Sequence, residues 1–116
     1  MTTTLYGIPN CDTVKKARAW LTSHGVDHEF HDFKKAGVTA AQLDRWIAAQ
    51  GWEKVLNRKG TMWRKLEAST QAGVTDAASA RAVMLAEPST IKRPVVEWAS
   101  GRITVGFDEA AWAQLA

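Results

Sequence analysis

Cys11 is the only cysteine in the chain, set between a short β-like run, Thr3-Thr4-Leu5-Tyr6-Gly7, and a helix-forming stretch that begins near Asp12. A thiol at such a junction faces the free N–H groups of a first helical turn. These favour the thiolate, the form that attacks disulfides and other electrophiles. At an exposed site a helix terminus is worth only about 0.3–1 kcal/mol, so strong activation would need a cation as well. Free cysteines are more often inert, buried hydrophobes. Here the neighbours Asn10, Asp12, Thr13 and Lys15 point to a partly exposed, partly electropositive setting, although the Asp12 charge opposes a thiolate. No second cysteine is present to resolve an adduct internally, so an external thiol would have to clear it.

Other chemistries find less support. His28 and His31 lie three positions apart in a stretch read as a strand, which points them to opposite faces, and His24 precedes the helix-stopping Gly25. No HExxH pattern, Gly-rich phosphate loop, Ser-His-Asp set or acid-base carboxylate pair is evident, and no metal site is expected. His24 is expected to favour the C-terminal dipole of its helix.

The elements that must position Cys11 follow from the apolar spacing. Thr3 to Gly7 reads as a strand that Pro9 limits, followed by a helix to about His24, capped by Asn10 or Asp12, with Val14, Ala17, Trp20 and Leu21 on one face. Residues 27–33 suggest a second strand. Thr39 then caps a helix whose core positions are Leu43, Trp46 and Ile47 and which ends at Gly51. Between Trp52 and Glu87 only helical segments and turns are expected, including a run capped by Thr75 with Ala80, Val83 and Met84. Ile91 to Trp98, a turn at Gly101 and Arg102 to Val105 form a hairpin signature, and Asp108 can cap a last helix containing Trp112. The order β-α-β-α, helices, β-β-α fits one mixed α/β sheet flanked by helices, with a parallel βαβ start.

At 116 residues and 46% apolar content, the chain is read as a single domain, 1–116, with a mainly helical insertion at about 39–90. Six tryptophans are expected chiefly to pack. A net charge of +3, spread along the chain, argues against direct nucleic-acid binding. The absence of a basic-then-apolar leader pattern and of a long apolar run predicts a cytoplasmic protein with no membrane partner.

The string from Tyr6 to Leu21 resembles the start of the arsenate-reductase-like (ArsC/Spx/YffB) family of the thioredoxin-fold superfamily. Leu56-Asn57-Arg58-Lys59-Gly60, Ile91-Lys92-Arg93-Pro94-Val95 and Val105-Gly106-Phe107 extend the likeness over nearly the whole chain, which is most similar to the YffB subgroup of glutathione-dependent thiol reductases. The resemblance implies a thioredoxin-like fold with Cys11 as nucleophile. It also implies a substrate- or cosubstrate-binding set of Arg58, Arg93, Asn10, Asp12, Thr13 and Pro94. Arg58 and Arg93 would hold an oxyanion or the carboxylates of a thiol cosubstrate. Pro94 matches the cis-proline beside the active cysteine, a conformer found in only about 5–6% of X–Pro bonds.

The implied function is a glutathione-dependent thiol reductase with no tightly bound cofactor, whose partner is glutathione or another small thiol, or glutaredoxin. The alternatives are an arsenate reductase and a non-enzymatic Spx-like regulator that docks on RNA polymerase. Two departures weigh on these alternatives. The third arginine of glutathione-dependent arsenate reductases aligns with Gly106, Arg102 being too early, and the second cysteine of Spx regulators is replaced by Val14.

Overall fold

The computed structural model describes residues 2–115. Two compact units form, one from the residues up to Ala36 together with those from Arg93 onward, the other from Gly37–Lys92.

In the first unit, β1 (Thr3–Gly7) leads into α1 (Asp12–Ser23), then β2 (His28–Asp32) and one helical turn, α2 (Phe33–Ala36). After the second unit the chain returns as β3 (Val95–Glu97), β4 (Ile103–Val105) and α8 (Glu109–Leu115). The sheet order is β2-β1-β3-β4. β1 and β2 run parallel, while β1–β3 and β3–β4 are antiparallel. Val14, Ala17, Trp20 and Leu21 recur at helical spacing, so α1 offers one apolar face, and all four are buried with Leu5, Val96, Trp98 and Trp112. Burying Leu21 alone is worth about 1.5–3 kcal/mol. Trp112 is the hub: Trp20, Trp98 and Phe107 each meet it edge-on, with ring centroids 5.5, 5.1 and 4.7 Å away. Each such pair adds about 0.5–1.5 kcal/mol beyond area burial. Among the partners of Tyr6, the Glu97 carboxylate accepts its hydroxyl at 2.8 Å.

The second unit contains α3 (Ala40–Gln50), α4 (Trp52–Val55), α5 (Thr61–Lys65), α6 (Ala68–Ala72), α7 (Ala77–Ala86) and a 3-10 turn at Pro88–Thr90. Its buried side chains include Leu43, Trp46, Val55, Leu56, Ala80, Met84 and Ile91. Thr39 caps α3 as expected, its hydroxyl accepting from the Gln42 N–H while the Gln42 side chain accepts from the Thr39 N–H. Gly51, at φ +85°, ends that helix.

Several boundaries differ from the sequence expectation. Neither Asn10 nor Asp12 caps α1: Cys11 occupies the N-cap position without a side-chain cap bond, because its carbonyl already accepts from the Lys15 N–H at 2.9 Å and Asp12 falls inside the first turn. β2 stops at Asp32, whose carboxylate accepts from the Lys34 and Lys35 N–H groups and turns Phe33 into a helix. Asp76, not Thr75, caps α7, since its carboxylate accepts from the Ser79 N–H at 2.9 Å. The hairpin strand starts only at Val95 because Ile91 bridges to Leu56 and Pro94 has no N–H to give a ladder. Among the described residues no helix is long and apolar enough to cross a membrane.

Candidate functional site

Cys11 sits where the sheet hands over to α1. Its backbone is extended, with φ −133° and ψ 123°, and the side chain is half-buried against the Trp-rich core. Asn10, Asp12 and Thr13 flank it on exposed positions. The position of this loop follows from β1, a central strand: Gly7 pairs with Asp32 on one side, and Tyr6 pairs with Val95 on the other. The same register places the exit from β1 and the entry to β3 at one end of the sheet. The Arg93–Pro94 bond, which is cis, therefore lies at the end from which the Cys11 loop departs. Pro94 is buried, and its carbonyl accepts from the Gly106 N–H at 2.9 Å. Asn10, Cys11, Asp12, Thr13, Arg93 and Pro94 thus all belong to the first unit.

Arg58 belongs to the second. Its guanidinium stands 5.4 Å from the Trp52 ring centroid and 3.3 Å from the Glu53 carboxylate, with the two ionic side chains 46% and 69% exposed. At that exposure the pair is worth about 0–1 kcal/mol and can be exchanged for another anion. Arg58 lines a pocket of about 190 Å³ that also presents Lys54, Lys59 and Lys92, with Glu53 as its single acidic group. This volume is below the roughly 300–1,000 Å³ of drug-sized sites, so the pocket suits a small anion or the charged end of a larger molecule.

Sequence reasoning did not anticipate how the Arg58 block is held. The Asn57 N–H donates to the Thr90 carbonyl and the Lys92 N–H to the Val55 carbonyl, both at 2.8 Å, around the Leu56–Ile91 bridge. Two motif blocks over thirty residues apart in sequence are therefore paired antiparallel, a long-range match that local patterning does not reveal. The lysines of the pocket were also missed, although Lys54, Lys59 and Lys92 lie within or beside the recognised blocks.

His24 occupies the C-cap of α1, with Nδ1 2.9 Å from the Trp20 carbonyl oxygen and its ring stacked on Trp20 at 3.8 Å. His28 Nδ1 lies 2.9 Å from the Val26 carbonyl oxygen, and the His31 ring centroid is 4.8 Å from that of Tyr6. Among the described residues no three His, Cys, Asp or Glu side chains converge as a possible metal-binding group.

Comparison with known proteins agrees with this architecture. The structure matches that of a YffB protein with a TM-score of 0.93 and 52% identity, covering 99% of this chain and 100% of that one. A Haemophilus influenzae protein described as uncharacterized is 37% identical over 91% of each chain. A global transcriptional regulator Spx of Streptococcus pyogenes is 26% identical over 91% of this chain and 78% of its own length. The sheet and its flanking helices are thioredoxin-like, as expected, and the likeness to YffB, ArsC-related and Spx proteins holds. The ArsC family profile matches residues 6–115, and the chain belongs to the ArsC family.

Proposed function

We propose that this ArsC-family protein is a thiol-dependent reductase in which Cys11 forms a mixed adduct that glutathione clears. The observation that carries this reading is a single, half-exposed cysteine at the N-cap of α1, in a chain with no second cysteine to resolve an adduct. The Cys11 thiolate attacks one sulfur of a substrate disulfide. A Cys11–sulfur bond forms as the substrate S–S bond breaks, and the other substrate sulfur leaves as a thiolate. A glutathione thiolate then attacks the substrate-derived sulfur, which restores the Cys11 thiolate and leaves that sulfur joined to glutathione.

Arg93 pairs with a carboxylate of the cosubstrate, and Asn10, Asp12, Thr13 and Pro94, all in the unit that carries Cys11, line its approach. In the other unit, the weak Glu53 contact leaves Arg58 able to take an anion, because an incoming carboxylate displaces Glu53 at little cost.

Glutathione-dependent reduction of 2-hydroxyethyl disulfide tests the reading, with intact-mass detection of the mixed disulfide between Cys11 and mercaptoethanol. Turnover lost in Cys11→Ser is the expected result. Equal turnover in that variant, or none from the unsubstituted protein, would overturn it. Arsenate is the nearest rival substrate, and robust arsenate turnover with glutathione and glutaredoxin would displace the disulfide reading. The relatives named as transcriptional regulators favour a second reading, a protein that docks on RNA polymerase. Recovery of polymerase in a pull-down, with function unchanged in Cys11→Ser, would favour that reading.

A further inference from the structure

We infer that Gly7 is a positioning residue for Cys11, acting through its contact with Val14. This deepens the proposed thiol chemistry and rests on that reading for its functional meaning. Gly7 ends β1 and is buried, and Val14, in the first turn of α1, is 0% exposed. A Cβ built on Gly7 would lie 2.8 Å from Val14 Cγ2 and 3.3 Å from Cγ1. Carbon atoms in contact prefer about 3.5–4.0 Å, so any side chain at residue 7 forces a relative shift approaching 1 Å.

The architecture decides which partner moves. β1 is hydrogen-bonded to β2 and β3 on its two sides, and Gly7 itself pairs with Asp32. The start of α1 is tied to the sheet through the loop of residues 8–11 and through packing of its apolar face. Cys11 is bound to that helix end, since its carbonyl accepts from the Lys15 N–H at 2.9 Å. Displacing Val14 therefore carries the N-cap and its thiol with it. The missing side chain at residue 7 sets the seat of Cys11 at the end of the sheet.

The test compares Gly7→Ala, Val14→Ala and the double variant with the unsubstituted protein. For each, the iodoacetamide alkylation rate of Cys11 at one fixed pH, disulfide turnover and the melting temperature are measured. In Gly7→Ala, turnover per folded molecule should fall about 10- to 100-fold, as expected for a displacement near 1 Å, and the alkylation rate should change with it. Val14→Ala alone should lower the melting temperature but leave the alkylation rate unchanged. The double variant should match Val14→Ala in alkylation and turnover, because removing the valine methyls makes room for the added Cβ. Should Gly7→Ala fail to fold, this second comparison decides.

Two outcomes would overturn the inference: alkylation and turnover in folded Gly7→Ala equal to those of the unsubstituted protein, or a double variant that differs from Val14→Ala. A protein with no disulfide turnover at all sinks the reductase reading, while the alkylation series still decides whether Gly7 positions Cys11.

Discussion

Around Cys11, a four-stranded sheet and two helices close over interlocked tryptophans, whereas Gly37–Lys92 is assembled from short helices joined by caps, turns and an exposed ion pair. Arg81 Nη1 donates to both Asp44 carboxylate oxygens, at 2.9 and 3.0 Å, across α7 and α3. Capping boxes start both of those helices. The unit that carries Cys11 is fixed by burial and strand pairing, which resist local change. The unit that presents Arg58 has buried side chains of its own, among them Leu43, Trp46 and Met84, and adds to them helix caps and exposed ion pairs, contacts that are individually small.

Substitutions can break this contrast, and the largest effect should come from the aromatic hub. Trp112→Ala removes the ring that three others meet edge-on and should cost about 3–5 kcal/mol in urea unfolding. A loss below about 1 kcal/mol would mean that the cluster is not what holds α8 to the sheet. In the other unit Thr39→Ala, which removes one cap, should cost about 1 kcal/mol. If that cap proved as costly as the tryptophan, the contrast would collapse.

A smaller effect concerns acid. The backbone N–H and the hydroxyl of Ser79 both bond the Asp76 carboxylate and hold its pKa below the ordinary aspartate range. A depressed folded-state pKa means that this group's stabilisation is complete above the unfolded value, near 3.9, and is lost as pH falls through that value toward the folded one. Asp76→Asn, which keeps a cap but not the charge, should flatten this part of the stability curve below about pH 4. An unaltered curve in chemical denaturation would show that the cap does not depend on charge. The smallest effect expected is from Arg81→Met, about 0–1 kcal/mol and diminishing with added salt.

Much of the first unit could be read from local pattern. Val14, Ala17, Trp20 and Leu21 mark one face of α1, and the Gly101 turn separates two strands that do pair. What local pattern could not supply was competition between neighbouring donors and acceptors. Asp32 bonds the Lys34 and Lys35 N–H groups and cuts β2 short, and the Asp76 carboxylate takes the Ser79 N–H, which sets the cap one residue past Thr75. Long-range pairing was equally hidden, as when Leu56 meets Ile91 and delays β3. At the candidate site Cys11 was evident from its uniqueness and its place before a helix. The contribution of Gly7 was not, because a glycine's use as empty space depends on which side chain lies opposite it.

The tryptophan cluster also gives the molecule an optical signature. Cys11 packs against a core whose indole rings stand nearly perpendicular to one another, an asymmetric arrangement of chromophores. A covalent change at the thiol should therefore perturb near-ultraviolet circular dichroism and tryptophan emission, allowing an adduct to be followed in real time without an added dye.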